Sequence, residues 1–139
     1  EEAIARNTWL PHLYSNVGLS ALHLANFYKN TDNKLTSEYL FYSVQSYEKA
    51  ANKGTNNPLH LYNLMKIYGL IGQFDKSYEI GEKILKIRLD YKDTFSVLIQ
   101  FAELANNTDK AKEYAKRAYE AFPNNPEYQK MYEKYFVTE

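Results

Sequence analysis

Slid along itself by 34 residues, this chain meets its own pattern. Two Asn-Pro pairs, Asn57-Pro58 and Asn125-Pro126, stand 68 residues apart, twice that step. At the same offset Leu61 falls on Phe95, Leu64 on Leu98 and Tyr68 on Ala102. Further along, Ser77 falls on Ala111, Gly81 on Ala115, Ile84 on Ala118 and Leu89 on Pro123. Apolar positions meet apolar ones, and small positions meet small ones. Such a period confines the chain to architectures that stack one supersecondary unit on copies of itself, because a single unit cannot bury its own apolar face.

The spacing inside each period is helical. Leu61, Leu64, Met65 and Tyr68 step by three, one and three; Ser77, Gly81 and Ile84 step by four and three. Each set lies on one helix face. Between them, Gly72-Gln73-Phe74 reads as a tight turn with glycine at a helix end. Asn57 and Asn125 suit the N-cap, each with proline at the first helical position. The unit is two helices of roughly 14 residues joined by a turn, and the chain is of the all-α class.

This pattern resembles the tetratricopeptide repeat, a helix–turn–helix unit with a period of about 34 residues. The matching residues are Leu61-Tyr62-Asn63-Leu64, Tyr68, Gly72, Phe74, Ser77 and Ile84 in one unit. In the next they are Phe95, Leu98, Ala102, Ala111, Ala115, Ala118 and Pro123. The resemblance implies a right-handed superhelical solenoid. Met65 and Ile84 depart from it, standing where the family carries small residues. Gly81, where the family carries a larger one, returns the volume that Ile84 takes.

The repeats divide the chain into 11–57, 58–91 and 92–125. Pro11 to Pro58 spans 47 residues, thirteen more than the period, so the first repeat holds an insertion around Asn26 to Glu38. Asn30-Thr31-Asp32-Asn33 marks a loop there. The helix from Pro11 is expected to run about two turns longer than standard, with Tyr14, Val17, Gly18 and Ala21 as its inward stripe. Ser43, Tyr47 and Ala50 mark the second helix. Residues 1–10 read as the remnant of a preceding helix: Ala3 to Asn7 match its tail and Trp9 sits in the junction. Residues 126–139 read as a lone capping helix, with Gln129, Tyr132 and Phe136 facing inward.

Composition narrows the function. Without cysteine there is no disulfide framework, thiolate metal site, cysteine nucleophile or iron–sulfur cluster. Lysine and arginine (17) balance aspartate and glutamate (17), and each repeat is close to neutral by itself. A nucleic-acid surface would need a basic excess. No apolar run approaches the ~20 residues that cross a bilayer, so no membrane insertion is expected of this stretch, and no secretory signal pattern is present. Lys110, Lys112, Lys116 and Arg117 are interleaved with Asp109, Glu113 and Glu120 and read as a solvated outer face. Glu79 and Glu82, beside Lys76 and Lys83, read the same way. Tyr47, Tyr62, Tyr68, Tyr78, Tyr114, Tyr119, Tyr128 and Tyr132 fall at helical positions, where the ring packs and the hydroxyl stays wet.

Nothing in the sequence carries catalytic chemistry, so the chain reads as no enzyme, with no cofactor and no metal. His12 and His23 share a helix face but lie roughly 16 Å apart along it, too far to share a metal. His60 lies in the next repeat, and all three histidines read as facing solvent or a groove. No zinc-protease, calcium-loop, phosphate-loop or nucleophile-elbow motif is present. Asn106-Asn107-Thr108 is a glycosylation sequon in a turn, relevant only in a glycosylating compartment.

In the family that this pattern resembles, the first helices of the repeats line a concave face that holds peptides or partner helices. Spacing places His12, Ser15, Asn16, Leu19 and His23 on the outward side of the first such helix. Leu59, Tyr62, Asn63, Lys66 and Leu70 take that side in the second, and Asp93, Ser96, Gln100 and Glu103 in the third. Asn16 and Asn63 stand where many family members carry an asparagine that bonds a peptide backbone, a role suited to an amide that both donates and accepts; bridging between adjacent helices is the other reading. Some members clamp a terminal carboxylate with several basic residues. Here Lys66 is the one base on that side, opposed by Asp93 and Glu103, so that mode is not expected. The leading function is a non-catalytic protein-interaction scaffold binding a peptide or partner segment. Alternatives are the regulatory or spacer repeats of a larger enzyme, such as a membrane-bound glycan ligase or a glycosyltransferase, and self-association through the solenoid ends.

Overall fold

The computed structural model describes residues 9–54 and 57–137, so the expectation for Ala3 to Asn7 lies outside the described residues. Among the described residues there are seven helices and no strand, which makes the chain all-α. They are α1 (Leu10–Tyr28), α2 (Asn33–Lys53), α3 (Pro58–Leu70), α4 (Phe74–Ile87), α5 (Thr94–Leu104), α6 (Thr108–Ala121) and α7 (Pro126–Phe136). They form two compact units, the first ending at Arg88 and holding α1–α4, the second beginning at Leu89 and holding α5–α7. None of these helices is long and apolar enough to cross a membrane.

The 34-residue step recurs in the backbone. At the α3–α4 turn, Gly72 has φ 79°, and Gln73 N–H donates to Tyr68 O at 2.9 Å. At the α5–α6 turn, Asn106 has φ 53°, and Asn107 N–H donates to Ala102 O at 2.8 Å. Each residue of the second set lies 34 positions after its counterpart. Glycine enters the left-handed region without steric cost, and asparagine is among the few others that tolerate it. The turn is therefore kept although the residue changes. Both Asn-Pro pairs act as helix starts. Asn57 Oδ1 accepts from Leu59 N–H at 3.0 Å, and Asn125 Oδ1 from Glu127 N–H at 2.9 Å and Tyr128 N–H at 3.2 Å. Asn107, inside the sequon, caps α6 through a 3.1 Å bond from Lys110 N–H.

The first hairpin absorbs its extra residues by lengthening α1 by nearly two turns, as expected, and by lengthening α2 as well. Helix α1 has 19 residues against 13 in α3, and α2 has 21 against 14 in α4. The thirteen additional residues are thus split six and seven, lengthening both helices, with only a short turn between. Asp32 closes that turn, its carboxylate accepting from Leu35 N–H at 2.9 Å.

Inside the first unit the paired helices are tied by buried serines. Ser43 Oγ donates to Gly18 O, and Ser77 Oγ to Met65 O, both at 2.8 Å. The serines are 34 positions apart, which makes these equivalent bonds in successive hairpins. Gly18 lets α2 approach closely: a Cβ built there would sit 3.1 Å from the Tyr47 ring. The equivalent positions of the next hairpin carry Met65 and Gly81, so the large and small partners are exchanged between the two helices.

Two inward stripes need correction. On α1 the buried residues are Pro11, Ser15, Gly18, Ala21 and Ala25, while Val17 is exposed and Tyr14 only half-buried. The inner face is lined by small residues because α2 comes so near. On α7 the buried residue is Tyr128; Gln129 and Phe136 are exposed and Tyr132 is half-buried. Tyr128 sits edge-on to Phe95 at 6.1 Å, which rotates the helix about its axis from the expected face.

The tyrosines at the repeat positions are largely core side chains, and the expectation that each hydroxyl stays wet fails at Tyr78 and Tyr114, whose hydroxyls are buried. Tyr47, Tyr62, Tyr68, Tyr78, Tyr114 and Tyr128 are buried. Basic groups lie over several of their rings, as Lys76 does over Tyr68 at 5.4 Å and Lys110 over Tyr114 at 5.5 Å. Tyr68 donates to Glu48 at 2.7 Å, and burial together with that carboxylate pushes its pKa well above the ordinary tyrosine value. On α6, Lys110 and Arg117 pair with Glu113, and Lys116 with Glu120, as a solvated mixed-charge face would.

Candidate functional site

On α1, His12, Asn16, Leu19 and His23 recur every three or four residues, and all four are exposed. Helix α3 offers a narrower strip: Leu59 and Asn63 are half-buried, Lys66 and Leu70 exposed. The two helices meet through His60, whose ring lies edge-on to His12 at 4.8 Å and whose Nδ1 shares a 2.8 Å hydrogen bond with Ser15 Oγ. Asn16 and Asn63 each stand about one turn beyond the contacting histidine on their own helices. The two strips therefore flank one seam within the first unit.

His60 corrects the expectation of a solvent- or groove-facing histidine. It is 1% exposed, and Gly54 presses against it, since a Cβ at Gly54 would lie 2.5 Å from the ring. A buried imidazole must be neutral or paired, and Ser15 supplies the partner. Burial first, and the neighbouring His12 second, hold its pKa below the ordinary histidine value. Ser15, expected on the outward side of α1, is buried with it, because its hydroxyl pairs with the imidazole below the surface and ties α1 to α3.

A pH dependence follows. The unfolded chain protonates His60 near 6.5, whereas the folded chain binds that proton only at lower pH. The stabilisation is therefore complete above about 6.5 and is lost as pH falls from there through the folded value. Urea unfolding of wild type should shift to lower midpoint between neutral and mildly acidic pH, and His60→Gln should flatten that shift. Equal shifts in the two proteins would exclude His60 as its source.

Two more of the expected site residues are not surface groups. Tyr62 is 7% exposed, its ring covered by Lys66, whose amine lies 5.4 Å from the centroid. Ser96 is 3% exposed, and its hydroxyl donates to Glu127 Oε1 at 3.0 Å. Glu103 is exposed, but Lys134 and Tyr135 both donate to its Oε1. Those bonds, that from Lys134 foremost, hold the Glu103 pKa below the usual carboxylate range. Helix α7 thus engages Ser96 and Glu103 on the outward side of α5, and Gln100 stays exposed.

The α7 residues that engage α5, namely Glu127, Lys134 and Tyr135, are not among those the sequence singles out, although the 34-residue step carries a signal for one of them. Thirty-four residues on from Lys66 is Gln100, and thirty-four more is Lys134. The open surface that remains is the α1–α3 seam: two amides, two imidazoles, one ammonium and the apolar Leu19 and Leu70. Amides offer donor and acceptor together, as a peptide backbone requires. Among the described residues no three histidine or acidic side chains converge as a metal site would need. Compared with protein-family models and with curated proteins, the sequence matches none.

Proposed function

We propose that the chain is a non-catalytic interaction scaffold of the tetratricopeptide kind, its hairpins stacked as a right-handed superhelical solenoid, holding a partner peptide against the α1–α3 seam. The observation that supports this reading is the recurrence of one turn, with its left-handed residue and its bond to the carbonyl five positions back, at Gly72 and Asn106. Asn16 and Asn63 bond the partner's main chain in this reading. His12, Leu19, His23 and Lys66 select among side chains, and Tyr62 supports Lys66 from below. Neutral charge in each repeat leaves selectivity to these local groups.

The test uses peptides selected from a random display library on the immobilised 139-residue chain. Replacing Asn16 and Asn63 together by alanine should weaken a selected peptide at least about tenfold, a loss of about 1.4 kcal/mol, with the helical circular dichroism unchanged. Unchanged affinity removes the seam as the site. A library that yields no peptide above background removes the scaffold reading.

A further inference from the structure

Helix α1 carries no charged residue from Leu10 to Tyr28, and no other helix among the described residues lacks one. Here Leu13, Val17, Leu24 and Phe27 are all exposed, Phe27 by 74%. With exposed Ser20 they fall at 13, 17, 20, 24 and 27, the alternating four-three spacing of a coiled-coil seam. At about 100° per residue this row is centred roughly 100° from His12 and 160° from Ser15. His12 and Ser15 are the residues that touch α3, so the row looks away from the second hairpin.

Beside the row lies a groove of about 400 Å³ between α1 and α2, walled by Asn16, Val17, Ser20 and Leu24 on one side and Tyr39, Tyr42 and Ser46 on the other. No charged side chain lines it. An uncharged apolar row fits an uncharged apolar row. Among the described helices the one that offers such a row is α1 itself. In a two-fold pair each patch meets its own copy, so a charged patch would repel itself and this one does not.

We propose that two copies of this chain associate through α1, each α1 lying antiparallel in the α1–α2 groove of the other to form a four-helix bundle. Antiparallel pairing aligns the helix dipoles head to tail. Alternating layers then place Leu13 against the partner's Leu24 and Val17 against the partner's Ser20. The two-fold axis falls between Gly18 and Leu19, at the middle of the helix. The extra length of the first hairpin acquires a role: 19 residues give a contact about 28 Å long, where the 13 of α3 would give about 20 Å.

Sedimentation equilibrium of the 139-residue chain up to about 100 µM should show a dimer, and Val17→Asp with Leu24→Asp should convert it to monomer with circular dichroism unchanged. The chain has no cysteine, so cross-linking reads the register directly. An equal mixture of Leu13→Cys and Leu24→Cys chains should form disulfide-linked pairs on oxidation, and neither variant should do so alone, because like positions lie about 16 Å apart in this register. A wild type that stays monomeric, a dimer that survives both aspartates, or cross-linking of either variant by itself overturns the proposal.

Discussion

Phe95→Ala is expected to destabilise the α5–α7 unit by about 3–5 kcal/mol, enough to leave it largely unfolded at room temperature. The ring is 2% exposed. It meets Phe122 edge-on at 6.4 Å and Tyr128 at 6.1 Å, and the Arg117 guanidinium lies over it at 5.9 Å. One side chain thus joins all three helices of the unit. Removing it takes away the transfer free energy of an aromatic ring and leaves a cavity that rigid neighbours fill poorly. A unit of this size has little to spare, since stability of about 0.05–0.15 kcal/mol per residue gives it only a few kcal/mol. Hydrogen exchange should show lost protection across α5, α6 and α7. Leu104→Ala, at a site 69% exposed, should change stability by less than about 0.5 kcal/mol. Retention of amide protection in Phe95→Ala would show that the unit is held together elsewhere.

The repeat was legible because it is written twice, at Leu61 to Leu89 and at Phe95 to Pro123. The caps were legible because Asn-Pro is local chemistry. What could not be read was any feature that depends on a distant neighbour. His60 looks like an ordinary polar residue until Ser15, 45 positions earlier, is brought to its ring. Ser96 looks like a surface hydroxyl until Glu127 reaches it from α7. The stripe on α1 misled for a different reason. Reading apolar as inward assumes that the apolar face is the one enclosed by the same chain. On α1 the enclosed face is Ser15, Gly18, Ala21 and Ala25, made small by the approach of α2, while Leu13, Val17 and Leu24 are displayed. Where a helix keeps its bulk outside, hydropathy does not point at the core.

Gly18→Met is expected to cost about 3 kcal/mol, the upper part of the range for overpacking. A Cβ alone would lie 3.1 Å from three atoms of the Tyr47 ring, closer than such contacts ordinarily come, and methionine adds further atoms beyond that Cβ. Tyr47 is itself 4% exposed and confined, so α1 and α2 must separate. Separation also strains the 2.8 Å bond from Ser43 Oγ to Gly18 O. The second hairpin shows how the chain accommodates a methionine at this place: Met65 stands at the position of Gly18, and Gly81 at that of Tyr47. Tyr47→Ala alone leaves a cavity and should cost about 3–5 kcal/mol. Joined to Gly18→Met, it fills that cavity with the very side chain that clashed. The double variant should therefore be more stable than the sum of the two losses predicts by about 1–3 kcal/mol, measured by urea unfolding of all four proteins. Additive losses would mean that Gly18 and Tyr47 do not share one volume, and that the size exchange between hairpins has another cause.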